Sequence, residues 1–311
     1  MKKYIVKRVL ISLATLFVIL LVLFILMDLM PGTPFNDEKL TEAQKALLYA
    51  KYGLDKPLVT RFFLYCKNML KGDLGVSYAI IKNFAVSGVV KDRVGISIAV
   101  GGMAMFIGTV LGLVLGILAA LNHNSWIDNL CSAISVLGVS IPSYVCALLL
   151  CYFVAYRLGW LPILYNVEQP FISLILPAIA LSVSPTANIA RFTRSEMIDV
   201  MNSDYILLVE SKGVKNWKMI ISHVLRNTLI PVITVMGPIL VNLLTGSSVI
   251  EKIFGIPGIG RLMITAIQEN DYNVTIACAF VYSVMYIVVM LFVDILYGVI
   301  DPRIRIAKEE K

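Results

Sequence analysis

The sequence predicts an all-α membrane protein with six transmembrane helices. Of its 311 residues, 59% are hydrophobic and only 15% are charged, with a mean hydropathy of +0.84. A soluble domain carries about 25% charge. The deficit is concentrated in uncharged runs at Val9–Met27, Ile96–Leu121, Leu130–Tyr156, Phe171–Ala190, Asn227–Ile250 and Val274–Val293. Each has about 19 residues or more, enough to cross a hydrocarbon core of about 30 Å as a helix. Helices are required because lipid offers no partners to backbone polar groups.

Lys2, Lys3, Lys7 and Arg8 precede the first run, as in a signal peptide. The run is long for one, and Asp28-Leu29-Met30-Pro31 lacks the small-x-small pattern of a cleavage site, so an uncleaved helix is expected. Pro31–Gly95 is the one sizeable polar segment. Thr41 and Gln44 form a capping box, and Gly53 suits the left-handed position after the helix they open. A second helix is expected after Asp55, with Pro57 in its first turn, ending before Gly72. Leu58, Phe62, Tyr65 and Met69 give it one apolar face, read as packing on the protein's own bundle.

In the second run, Gly108, Gly112 and Gly116 repeat a small-xxx-small pattern that lets another helix approach closely. Pro142 interrupts the third run and predicts a kink. Ser182, Ser184, Thr186 and Asn188 in the fourth run, and Thr234, Asn242, Thr245, Ser247 and Ser248 in the fifth, face either neighbouring helices or a water-filled path. Asn188, Asn242, Thr245 and Ser248 are the candidate pathway residues. Asp294 lies toward the end of the sixth run, where an interfacial or structural role is expected.

Lysine and arginine orient the bundle. With the N-terminus inside, 14 of the 27 fall in cytoplasmic segments, three in two short outer loops and ten in the long outer segment, which weighs little in this rule. Both termini are therefore expected in the cytoplasm. The net charge of +7 follows from this orientation and calls for no nucleic-acid partner. The expected organisation is a cytoplasmic start and first helix over 1–29, an extracytoplasmic helical segment over 30–95, and a core over 96–298. The core spans lie near 96–121, 130–156, 171–190, 227–250 and 274–296, with a cytoplasmic loop at 191–226 and a tail at 299–311.

Five cysteines, Cys66, Cys131, Cys146, Cys151 and Cys278, imply no disulfide framework, and no Cys/His spacing resembles a metal site. The sequence contains no Gly-Lys dipeptide and hence no Walker A loop, no His-Glu-x-x-His and no Gly-x-Ser-x-Gly. No run carries an ionisable residue at its centre, which proton- or ion-coupled transporters use. Energy for any transport would have to arrive through a partner.

The 191–226 loop is the natural entry point. A helix is expected from Asp204 to Lys212, capped by Asn202-Ser203, with Asp204 and Lys212 placed favourably for its dipole and Gly213 as its stop. Asn216 is expected to cap a second helix leading into the fifth span. Tyr205, Leu208 and Val209 recur at helical spacing. On spacing alone, this face would suit the membrane surface or the groove of a soluble protein equally well.

Arg191-Phe-Thr-Arg-Ser-Glu-Met-Ile-Asp-Val, Asp204-Tyr205, Lys212-Gly213 and His223-Val-Leu-Arg-Asn-Thr-Leu-Ile-Pro231 resemble the cytoplasmic coupling loop of binding-protein-dependent ABC importer permeases. Met30-Pro-Gly-Thr-Pro-Phe35, Lys51-Tyr-Gly-Leu-Asp-Lys-Pro57, Gly72-Asp-Leu-Gly-Val-Ser77, the stretch Thr245 to Gly260 and Asp301-Pro-Arg303 resemble the B-type permeases of oligopeptide and dipeptide systems. Nickel permeases are close relatives. The family's Glu-Ala-Ala before the glycine is Leu207-Leu208-Val209 here, with Glu210 nearby, and its later Leu-Pro is Leu225-Arg226.

The resemblance implies a type I ABC importer permease architecture in a bacterial cytoplasmic membrane. It implies a heterodimer with a second permease, two ATPase subunits and an extracytoplasmic solute-binding protein. The cargo would be a peptide, with nickel or a metal chelate as the alternative. A stand-alone secondary transporter or membrane enzyme is the rival class. No cofactor is expected on this chain; ATP and Mg belong to the partner ATPases. The resemblance makes Asp204, Tyr205, Leu208, Val209, Glu210, Lys212 and Gly213 the ATPase-coupling candidates, and Phe254, Pro257, Gly258 and Gly260 a candidate outer gate.

Overall fold

Twelve α-helices run through the described part of the chain: α1 Lys2–Leu29, α2 Glu42–Tyr52, α3 Leu58–Met69, α4 Val86–Leu121, α5 Trp126–Ser140, α6 Ser143–Leu150, α7 Pro170–Met201, α8 Asp204–Ser211, α9 Asn216–Met219, α10 Leu225–Ile253, α11 Ile259–Gln268 and α12 Tyr272–Ile300. The structure is a computed structural model that describes residues 2–29 and 41–300; side chains at 2–5, 42, 45, 244–247 and 294–300 are outside the description. Met30–Phe35, Asp301–Arg303 and the side chains of Thr245, Ser247 and Asp294, singled out above, therefore lie outside the described residues. No strand occurs among the described residues, only an isolated bridge between Val76 and Ala85.

Among the described residues, five helical stretches are long and apolar enough to cross a membrane: Val6–Leu29, Val86–Leu121, Pro170–Met201, Asn216–Leu243 and Tyr272–Val293. A sixth exists if α5 and the helical stretch Ser143–Arg157 count as one span, for they meet at a bend of 99°. The predicted proline kink is thus a full break. Ile141 is extended (φ −86°, ψ 121°), because the ring of Pro142 disfavours helical backbone at the residue before it. Beyond α6 the backbone widens into a π-helical turn, Cys151–Arg157.

The chain divides into two compact units. The first comprises Met1–Ser97 with Pro257–Ile287. Thr41 opens α2 through the expected capping box: Gln44 N donates to Thr41 Oγ1 at 3.4 Å, and Thr41 N donates to Gln44 Oε1 at 3.0 Å. The apolar face of α3 packs inward as predicted, with Phe62 and Tyr65 buried against Leu20 of α1 and Ile276 of α12. Phe62 meets Phe17 and Phe24 edge-on at 5.2 and 5.4 Å between ring centres, and Arg61 pairs with Asp28.

The short helix α11 was not legible in the Gly/Pro-rich stretch before it. It buries Ile259, Leu262 and Ala266 against Val86, Val89 and Val90 of α4 and Val274, Ala277 and Cys278 of α12. Between α11 and α12, the fully buried Asp271 gathers the turn before α4. Its Oδ2 accepts from Ser77 Oγ (2.5 Å) and from the backbone N–H groups of Tyr78, Ala79 and Ile80 (3.0, 3.0 and 3.2 Å). Burial pushes the Tyr78 phenol up to about 12, so it stays a neutral hydroxyl.

The second unit comprises Ile98–Ile256 with Val288–Lys311. Helix α7 is its spine. A Cβ built on Gly108, Gly112 or Gly116 of α4 would lie 2.7, 2.8 and 2.7 Å from atoms of α7, at Pro185, Ile189 and Ala190 respectively. Any larger residue would force the two backbones apart. Gly138 brings α5 onto α7 in the same way, 3.0 Å from Ala187. Helix α7 also overruns the predicted span: it continues from Ala190 to Met201, so the polar connection is shorter than 191–226. Charge at Arg191 and Arg194 ends an apolar run but not a helix, and the break comes at Asn202 and Ser203.

Candidate functional site

The segment after α7 forms a small structure with its own core. Helix α8 starts at Asp204, with Ser203 as its N-cap residue. The Ser203 hydroxyl does not cap; it donates back to Val200 O at 2.6 Å. Asp204 nevertheless sits in the first turn, where a negative charge meets the helix dipole favourably. Lys212 is the C-cap residue, and Gly213 follows with φ +72°, donating its N–H to Glu210 O at 2.9 Å. Helix α9 begins at Asn216 itself, so the predicted cap falls one residue late, on a helix whose N-cap residue is Lys215. A π-helical turn, Ile220–Val224, joins α9 to α10.

Inside this segment, Ile206 and Val209 of α8 are buried with Met219 and Val224, Met197 of α7 and Ala120 of α4. Val209, grouped at the outset with the presented face, therefore turns inward. Ile206 and Val209, three residues apart, share one side of α8, and Leu207 and Leu208 lie on the other. Tyr205, Leu207 and Leu208 are exposed by 44%, 66% and 55%, and Trp217 and Ile221 of the following turn are exposed as well. Asp204, Glu210, Lys212 and Gly213 are also at the surface. Tyr205 Oη shares a hydrogen bond of 2.5 Å with His223 Nδ1, pinning α8 to the π-helical turn. The result is a fixed amphipathic knob, apolar at its tip and charged at its ends.

A polar cluster that the sequence reading missed lies above this knob on α7. Asp128, in the first turn of α5 and 2% exposed, accepts from Arg194 Nε and Nη2 at 2.5 and 2.8 Å. Asn124 N donates to the same carboxylate at 3.0 Å and Ser132 Oγ at 3.4 Å. His123 Nδ1 lies 3.2 Å from Asp128 Oδ2 and 3.3 Å from Arg194 Nη2, so either neutral tautomer finds a partner. The one available signal was Arg194 itself, three residues past Arg191 and in phase with the buried Ala187, Ala190 and Met197 once α7 is drawn long enough.

The candidate gate residues are distributed over both units. Phe254 is buried in the second, where its carbonyl accepts from Tyr165 N at 2.8 Å, and Gly255 turns the chain with φ +65°. Pro257, Gly258 and Gly260 belong to the first, where Gly258 is the N-cap residue of α11 and Gly260 is buried in its first turn. Among the candidate pathway residues, Asn188 donates within its own helix to Ser184 O at 2.9 Å and Ser184 Oγ at 3.3 Å. Asn242 is exposed and Ser248 half-buried.

Long apolar helices, one of them broken, and a short helix held out beyond them define an integral membrane protein with the fold of an ABC importer permease. The inward-facing MetNI methionine ABC transporter superposes with a TM-score of 0.57 at 17% identity, over 68% of this chain and 96% of that one. An amino acid ABC transporter solved with histidines gives 0.55 at 16% identity, over 68% and 94%. The chain belongs to the family of binding-protein-dependent transport system inner membrane components, whose profile matches residues 112–306. It is 42% identical to the dipeptide transport system permease protein DppB of Lactococcus lactis subsp. cremoris (strain MG1363), over 98% of this chain and all of that protein. It is 40% identical to DppB of Bacillus subtilis (strain 168), over 99% of this chain and all of the relative. The oligopeptide transport system permease protein OppB of Haemophilus influenzae (strain ATCC 51907 / DSM 11121 / KW20 / Rd) is also 40% identical, over 98% of this chain and all of that one.

Proposed function

We propose that this chain is the transmembrane permease subunit of an ATP-driven importer of dipeptides or oligopeptides. The observation that carries the reading is identity of 42% and 40%, along essentially the whole chain, to dipeptide and oligopeptide permeases. In this reading the translocation path is shared with a second, homologous permease. Two ATPase subunits bind ATP and Mg on the cytoplasmic side, and a solute-binding protein delivers peptide from outside. Both termini face the cytoplasm of a bacterium, and residues 30–95 lie outside.

The knob is the coupling element. Tyr205 and Leu208 enter an ATPase cleft, flanked by the charges of Asp204, Glu210 and Lys212, while Val209 holds the helix from beneath and Gly213 sets its exit. The exposure of Tyr205 and Leu208 on a helix anchored by its other face supports this assignment. Such a helix-in-groove contact takes its strength from apolar anchors at helical spacing. Phe254, Pro257, Gly258 and Gly260 act as the outer gate, and Asn188, Asn242, Thr245 and Ser248 line the path.

The test is uptake into vesicles reconstituted with both permeases, both ATPases and the binding protein, using a labelled dipeptide, a labelled pentapeptide and labelled nickel in parallel. ATP-dependent accumulation of a peptide is expected. Accumulation of nickel without peptide would move the cargo to the metal reading, and transport by the purified chain without ATP or partners would move the protein to a different class.

A further inference from the structure

We infer that the Asp128–Arg194 pair is a mechanical latch that makes α5 follow α7, carrying the motion of α8 into the broken span; the inference rests on the importer reading. Helix α8 begins three residues after α7 ends, and Met197 of α7 lies in the same small core as Ile206 and Val209. A force on α8 is therefore delivered to the last turns of α7. Arg194 is one turn further in, seven residues from the end of α7, or about 10 Å along the axis.

What α7 does with that force depends on how its neighbours hold it. Its contacts with α4 and α5 at Gly108, Gly112, Gly116 and Gly138 are close backbone approaches, and a glycine offers no side chain to tie them. Such contacts resist separation and permit sliding. The Arg194 guanidinium instead grips both oxygens of Asp128 from Nε and Nη2, a geometry that fixes direction as well as distance. Asp128 is in turn fastened to its own helix start: its N–H donates to Ser125 Oγ at 3.4 Å, and Asn124 N donates to its carboxylate. Asp128 is 3% exposed as a side chain against 31% for Arg194, so its charge is answered in a mostly dry setting. At its far end α5 meets the 99° break at Ile141 and Pro142. Helix α5 is thus gripped at one end and articulated at the other, the arrangement of a lever.

Two variants conserve charge: Arg194→Lys removes the fork, and Asp128→Glu displaces the carboxylate by one methylene and so shifts the register of the grip. Each is placed in the full reconstituted complex, and peptide uptake is measured per ATP hydrolysed. ATPase co-purification and peptide-stimulated hydrolysis are expected to persist, while uptake per ATP falls by about fivefold or more, the low end of usual coupling factors. Assembled variants with an unchanged ratio overturn the latch. So does loss of ATPase co-purification in both variants, which would make the pair a support of the fold alone. Wild-type complex is run alongside: if it accumulates no peptide, the importer reading falls and the latch with it, whereas active wild type with unaltered variants removes only the latch.

Discussion

Asp271 in the first unit and Asp128 in the second are both buried acids, yet they are used differently. Asp271 presents a single oxygen, Oδ2, to one hydroxyl and three successive backbone N–H groups, and its Oδ1 has no hydrogen-bond partner. Asp128 engages both oxygens, and its principal partner is a side chain on another helix. Backbone donors cannot leave the turn they belong to, so Asp271 fixes a local shape. A guanidinium on a separate helix can be re-aimed, so Asp128 couples two elements. Burial alone does not distinguish an anchor from a joint; the identity of the donors does.

The largest effect that tests this contrast is Asp271→Ala. It strands four donors in a dry site, at a cost of on the order of 1–3 kcal/mol for each one left unpaired. Thermal unfolding of the purified protein in detergent should show the first unit destabilised by far more than by Asp271→Asn. The amide retains the accepting oxygen at Oδ2 and places its NH2 where Oδ1 is idle. Equal loss from the two changes would mean that charge, and not acceptor geometry, holds the turn.

At Asp128 the same exchange should behave oppositely. Asp128→Asn turns an NH2 group against the Arg194 donors, costing about 1–3 kcal/mol, because no orientation of the amide satisfies both guanidinium nitrogens. A melting temperature lowered by Asp128→Asn more than by Asp271→Asn is the expected result, and the reverse order would undo the distinction between anchor and joint.

The smallest change concerns the exit from α8. Gly213 has φ +72° and open space around it, so Gly213→Val meets no clash and only the left-handed backbone opposes it, at about 1–2 kcal/mol. Membrane insertion should be unchanged and the melting temperature lowered by only a few degrees, while ATPase co-purification weakens. Unchanged co-purification together with unchanged uptake would detach α8 from coupling.

Much of the fold was legible because membrane burial writes itself into single residues. The uncharged runs marked the five long apolar helices and the bent pair at 126–157, the Gly108-Gly112-Gly116 stripe announced a close helix contact, and Thr41, Gln44 and Gly53 bounded α2 through local chemistry. The candidate site was legible as a segment, with Asp204 opening α8 and Gly213 after its end. It was not legible as a surface. Val209 turns inward because Met197 and Met219 from the flanking segments and Ala120 from the distant α4 converge on α8. The end of α7 was misplaced because a helix leaving a membrane can keep its hydrogen bonds while it gains charge.

The sequence by itself determined that this protein crosses a membrane through helices and where α8 starts and stops, and its motifs resemble those of importer permeases. The first two follow from local composition, spacing and turn chemistry, and the third from the resemblance. Only the tertiary structure decided that Asp271 holds the turn at 77–80, that α11 is buried against α4 and α12, and that Asp128 grips Arg194. Each depends on groups 60 or more residues apart in the chain, or on how backbones meet once packed, and no local pattern encodes which distant donor will face which acceptor.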